Sequence, residues 1–162
     1  MNAKFVLLLV ILGTLFLYGC ATAKGPLFKE VPLAEYNGKA IVYFYRNSST
    51  NSLFTLYLRI NGGNALPLPN KGYHLLILDP GMYNFTVFDR FFYKSILQAE
   101  NTFALKGNSV YYIRFRIDVV GYDPGLFGSN PQVRREVTSV PRDETMQVLQ
   151  GCRLIEEGNS GS

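Results

Sequence analysis

From Lys39 onward the chain alternates in a way that predicts extended structure. Ile41, Tyr43 and Tyr45 fall on one side and Val42, Phe44 and Arg46 on the other, and all but the arginine are apolar or aromatic. That density on both sides predicts a strand covered on both faces. The next segment sets Phe54, Leu56, Leu58 and Ile60 against Thr55, Tyr57 and Arg59, the pattern of a strand with a single core face. Asn61, Gly62, Gly63 and Asn64 follow, residue types that reach the positive backbone angles of a hairpin turn, which makes Gly62 and Gly63 structural. A return strand through Ala65, Leu66 and Leu68 contains Pro67 and Pro69, which donate no ladder hydrogen bond, so it is expected at a sheet edge.

Tyr73 to Leu78 reads as another apolar strand. Asp79, Pro80 and Gly81 turn the chain into a strand with Tyr83, Phe85 and Val87, and this turn chemistry predicts antiparallel pairing across Pro80 and Gly81. Asp89 to Lys94 is expected as a loop, followed by a strand from Ser95 to Glu100 and extended chain through Leu105. The strongest strand sets Tyr111, Ile113, Phe115 and Ile117 inward and Tyr112, Arg114 and Arg116 outward. Gly121 to Pro131 is rich in Gly, Pro and Asn and predicts a long loop, and Arg135 to Val140 a last short strand. Beyond Pro141 the period becomes helical. Asp143 and Glu144 suit a helix start, Met146, Leu149 and Cys152 make one stripe, and Gly151 suits the end. Six to eight short strands and one small helix define an all-β, antiparallel β-sandwich with a short C-terminal helix, since a sheet with one apolar face must bury it. The domain is expected over residues 38–155, with a flexible tail at 156–162.

The first residues follow another pattern. Phe5 to Tyr18 is almost wholly apolar behind Lys4, yet shorter than the roughly 20 residues of a spanning helix, so it reads as an export signal. Leu17, Tyr18, Gly19 and Cys20 close it and resemble the lipobox of bacterial lipoproteins. That resemblance implies cleavage after residue 19, a diacylglycerol thioether on the Cys20 thiol, and a mature protein whose residues 20–37 form a lipidated N-terminus and tether. Acyl chains such as palmitate would hold the protein at the membrane, two or three of them being needed for stable anchoring. Ala21 stands where inner-membrane lipoproteins carry aspartate, which implies the outer membrane and a periplasmic body. Cleavage elsewhere, or a retained transmembrane anchor with Cys20 incidental, are the other readings of these residues.

Length and composition narrow the classes. The 162 residues, 48% hydrophobic and 17% charged, suit one folded domain rather than a disordered chain. The net charge of +4 falls to +3 without Lys4, and its scattered basic residues lack the clustered footprint of a nucleic-acid binder. With Cys20 acylated, Cys152 is the remaining thiol and no intrachain disulfide forms. It reads as a buried small hydrophobe, or else as an exposed thiol that pairs with another chain. His74 is the single histidine, so no metal site, cofactor or catalytic group is expected, and the chain is read as non-enzymatic.

The binding candidates are Phe91, Phe92 and Tyr93, flanked by Arg90 and Lys94, and Leu126 with Phe127. Exposed aromatics beside basic groups suit a protein hot spot or a sugar platform; the alternative is that they fold back as lids over the ends of the sandwich. Arg46 is expected to anchor a loop through carbonyls or a carboxylate. Gly38 to Arg46, with the core Ala40, Val42, Tyr43, Tyr45 and Arg46, resembles the opening of the DUF2846 family, found in small lipoproteins. The order of the Asn61–Gly63 turn, the Asp79–Gly81 turn and the Tyr111–Arg116 strand extends the likeness. The resemblance implies a periplasmic sandwich similar to transthyretin-type or other prealbumin-like modules, with no characterised activity. The expected role is a lipid-anchored, non-catalytic interaction or envelope-structural module with an envelope protein or glycan partner. The alternatives are a small-ligand or glycan-binding lipoprotein, and an enzyme in which His74 meets remote acidic groups.

Overall fold

A computed structural model describes residues 23–48, 55–91, 94–125 and 128–155. Among these residues the chain forms two sheets, nine strands in all, and one C-terminal helix. The strands are β1 (Ala40–Arg46), β2 (Leu56–Ile60), β3 (Leu66–Leu68), β4 (Gly72–Leu78), β5 (Gly81–Phe91), β6 (Lys94–Leu105), β7 (Ser109–Gly125), β8 (Gly128–Ser139) and β9 (Arg153–Leu154), with helix α1 at Arg142–Leu149. One sheet has the order β8-β7-β1-β4-β9 and the other β3-β2-β5-β6.

β1 lies at the centre of the five-stranded sheet and all seven of its residues are buried, as the apolar density on both sides of this strand predicts. Val42 and Phe44 face the second sheet, where they join Leu56, Leu58, Phe85, Val87, Ile113 and Phe115 in the inter-sheet core. Phe44 stacks on Phe85 with ring centroids 5.6 Å apart. Ile41, Tyr43 and Tyr45 face the opposite way, into a second core with Tyr73, Tyr112, Leu149 and Cys152. Burying each of these large rings is worth about 1.5–3 kcal/mol, so the second core is a substantial part of what holds the chain together.

The five-stranded sheet is mixed, whereas the four-stranded sheet is antiparallel throughout. β1 runs parallel to β7, and β4 parallel to β9. The expected pairing across Asp79, Pro80 and Gly81 is not made: β4 pairs with β1 and β9, and β5 with β2 and β6. The turn chemistry is real, but Pro80 and Gly81 carry the chain from one sheet to the other, and both neighbours of each strand are supplied by other parts of the sequence. The Asn61–Gly63 turn does join the antiparallel pair β2 and β3, with Asn61 at φ 49° and Gly62 at φ 71°. β3, with Pro67 inside it, is an edge strand.

Two expected loops are largely strand. β5 continues to Phe91 and β6 begins at Lys94, while β7 and β8 pair from Ile113–Ser139 out to Gly125–Gly128. The Gly, Pro and Asn content that reads as a loop fits a two-stranded ribbon equally well. Half of a ribbon's N–H groups point to solvent and tolerate proline, and Gly121 sits where the register shifts after Val119.

The stretch expected as a tether is packed along its described length. Residues 23–37 descend the outer face of the five-stranded sheet as a strap, ending in a 3₁₀ turn at Leu33–Tyr36. Phe28, Val31, Leu33 and Tyr36 cover the second core from above, and Leu27 bridges Arg153 of β9. α1 closes the rest of that face. It starts after Pro141, with Asp143 and Glu144 in its first turn, and buries Thr145 and Leu149; Cys152 follows it and is buried as well.

Candidate functional site

The chemistry of the outer face is built on tyrosines that point from β1, β4 and β7 towards the strap. Tyr43 stacks on Tyr112 with centroids 5.5 Å apart, and Phe28 meets Tyr43 and Tyr73 edge-on at 5.1 and 5.3 Å. Each buried phenol needs a partner for its hydroxyl, and the covering layer supplies them. The Val31 N–H donates to the Tyr43 hydroxyl at 2.7 Å, and the Tyr45 hydroxyl lies 3.3 Å from Thr145 Oγ1 on α1. Burial raises all four tyrosines above the ordinary phenol range.

Glu30 is the clasp of this layer. Its carboxylate accepts a hydrogen bond from the Tyr112 hydroxyl, and it accepts two more from Arg142, from Nε at 3.1 Å and Nη2 at 2.7 Å. Strap, sheet and helix thus meet at one charge. The Arg142 guanidinium, opposed by burial, holds the Glu30 carboxyl below its ordinary range, and Arg142 itself is raised by the same contact. The forked geometry is the stronger kind of ion pair.

Arg46 and His74 act at the mouth of the inter-sheet core. Arg46, fully buried, donates from Nη1 to the Leu68 carbonyl at 3.0 Å, and His74 Nε2 lies 2.8 Å from the Pro67 carbonyl. Two side chains of the first sheet therefore hold the edge strand of the second. Burial lowers the Arg46 guanidinium to about 10 against the opposing pull of Asp89. Cys152 is buried with its thiol 3.5 Å from the Val148 carbonyl, and burial pushes that thiol up to about 11.

Of the binding candidates, Phe91 is the last residue of β5, and Cys20, Phe92, Tyr93, Leu126 and Phe127 lie outside the described residues. Near Phe91 the outer face of the four-stranded sheet carries an interleaved stack. The Arg90 guanidinium lies 4.6 Å over Tyr57, Tyr57 stacks on Phe88 at 5.8 Å, and the Arg59 guanidinium lies 4.3 Å over Phe88. A separate depression of about 460 Å³ is open to solvent and lined by Leu33, Ala34, Asn37 and Asn108. Among the described residues no group of three or more His, Cys, Asp or Glu side chains could hold a metal ion, and no helix is long and apolar enough to cross a membrane. Glu30, Arg142 and the strap as a packed layer escape sequence reasoning, because partners 82 and 112 positions apart leave no periodic signal.

A two-sheet domain with a strapped outer face is thus the class that the fold defines. Residues 36–125 match the family described as protein of unknown function DUF2846, more than half of the chain, and the chain belongs to that family. No curated protein matches it.

Proposed function

We propose that this chain is a lipid-anchored, non-catalytic module of the bacterial envelope, acylated on Cys20 after removal of residues 1–19 and held at the outer membrane with its body in the periplasm. The sandwich is read as transthyretin-type, with an envelope protein or glycan as its partner. The observation that carries this reading is the continuity between the lipobox-like Leu17–Cys20 and the strap. The Ala23 N–H donates to the Asn70 carbonyl at 3.3 Å, so the domain holds the chain three residues after the proposed acylation site. Such a chain suits a body held close to a bilayer.

The ligand-binding alternative asks for an aromatic-lined cleft, whereas the open depression has aliphatic and amide walls. The enzymatic alternative asks His74 to meet acidic groups, and its Nε2 faces the Pro67 carbonyl. The test is a Cys20→Ala variant of the full chain, followed by membrane fractionation and mass spectrometry of the N-terminal peptide. A diacylated N-terminus in the unsubstituted protein, and release of a folded body in the variant, are expected. An unmodified Cys20, or unchanged anchoring of the variant, overturns the reading.

A further inference from the structure

Both long hairpins point the same way, and that way is the end at which the N-terminal strap begins. β1 ends at Arg46, opposite Gly72 at the start of β4 and Phe115 in β7. Asn70, which receives the Ala23 N–H, precedes Gly72 and so sits at this end. β7 runs ten residues past Phe115 to Gly125, a length of roughly 33 Å of extended chain, and the β5–β6 hairpin closes at the same end beyond the pair Arg90–Ser95.

Exposed apolar side chains gather there. Among the described residues seven large hydrophobics are exposed, and five of them, Ile96, Leu97, Val119, Val120 and Tyr122, lie on these hairpin ends. Leu97 and Tyr122 are 55% and 66% exposed. A concentration of apolar surface in one region marks a contact surface. The charge around it is mixed. Arg134 and Arg135 are exposed on β8, Asp123 is exposed beside Tyr122 and accepts from Gln132 Nε2 at 2.7 Å, and Asp118 and Glu136 are engaged by Arg116 at 2.5 and 2.9 Å.

We propose that the distal ends of the β5–β6 and β7–β8 hairpins form a membrane-contact face that rests in the interface of the bilayer holding the Cys20 acyl chains. This rests on the anchoring reading above, and the length of chain between Cys20 and Ala23 carries it further. Three residues from Cys20 to Ala23 span at most about 11 Å. Ala23 is held by Asn70, two residues beyond Gly72 and so roughly 7 Å past the level of Phe115, whereas Tyr122 stands seven residues beyond Phe115, roughly 23 Å of strand. Tyr122 therefore overhangs Ala23 by roughly 16 Å, more than the leash spans, so an upright body brings it to the headgroups with Val120 close behind. Tyrosine and aliphatic side chains suit that depth, with the ring and methyls at the acyl boundary and the exposed Arg134 and Arg135 on the headgroup side.

The natural chain has no tryptophan, so a single introduced indole reports its own depth. Full-length Leu97→Trp, Tyr122→Trp and Met82→Trp variants are reconstituted into phosphatidylethanolamine–phosphatidylglycerol vesicles with and without brominated acyl chains. Met82 is exposed at the start of β5, the opposite end of that strand. Emission from L97W and Y122W is expected to fall roughly by half in brominated vesicles, as for side chains at interface depth, while M82W is unaffected. Ile96→Trp and Val120→Trp replace either distal variant that fails to fold. Quenching at all positions, or at none in protein whose Cys20 is shown by mass to be acylated, overturns the proposal. So does emission that responds to protein density but not to bromine, which assigns the face to a second copy. An unmodified Cys20 overturns the anchor itself, and the mass measurement separates that failure from the others.

Discussion

The β-carbon that Gly25 lacks would stand 2.1 Å from the carbonyl oxygen of Leu154. The strap therefore touches β9 backbone to backbone, with the Leu154 N–H donating to Pro26 at 2.8 Å and Arg153 Nη1 donating to the Gly25 carbonyl at 3.0 Å. Since the obstacle is main chain held on both sides, a methyl group at Gly25 displaces the strap instead of a side chain. Gly25→Ala is expected to destabilise the domain by about 1–3 kcal/mol, the range for overpacking a fitted contact. Urea unfolding checks this, with a lowered midpoint and an unchanged slope.

Glu30 makes strap docking sensitive to acid. Its folded-state pKa is held below the ordinary 4.5, first through its hydrogen bond with Arg142. A depressed carboxylate contributes stability that is fully present above 4.5 and is lost as pH falls through the folded value. Glu30→Gln keeps the shape of the group and removes the charge. The stability difference between wild type and Glu30→Gln is expected to be constant near neutrality and to shrink below pH 4.5. Denaturant titrations at a series of pH values read it; a difference that stays flat through that window refutes the role given to the charge.

The alternation from Lys39 to Arg46 makes β1 and its two buried faces legible, because a period of two with apolar residues on both sides has few other solutions. The same logic places Pro67 on an edge strand and helix α1 after Pro141. Pairing is less legible. Pro80 and Gly81 specify that the chain reverses, while the choice of partner strand belongs to contacts such as Ala40 with Ser109, far apart in sequence. The strap is hidden for a related reason: Phe28, Val31 and Tyr36 are spaced by neither strand nor helix, and only the finished sheet gives them a surface to cover. Cys20, Phe92, Tyr93, Leu126 and Phe127 lie outside the described residues, so their roles rest on sequence.

Arg46 offers a test of how the two sheets are held in register. It is buried, donates to Leu68 and faces the charge of Asp89. Arg46→Ala removes the bond and leaves a void, and is expected to cost about 2–5 kcal/mol, in the range for large-to-small core changes. Arg46→Met fills most of the same space and is expected to cost less than half as much, since an apolar side chain of similar length avoids the cost of burying a charge. Equal losses in the two variants, measured by chemical denaturation, would show that the bond to Leu68 rather than the volume dominates.

Cys152 reports on the same outer layer and on the N-terminus at once. Its thiol is buried under α1 and the strap, and burial pushes it up to about 11, so at pH 8 it is both inaccessible and protonated. Reaction with an aromatic disulfide reagent is expected to be roughly 100-fold slower in the folded protein than in denaturant, because labelling must wait for the layer to open. Gly25→Ala is expected to speed labelling of the folded protein, since it loosens the cover without touching the thiol. The denatured chain then gives the count: one reactive thiol if Cys20 carries a thioether, two if it is unmodified. Fast labelling of folded wild type would refute the closed layer, and a count of two would refute the thioether.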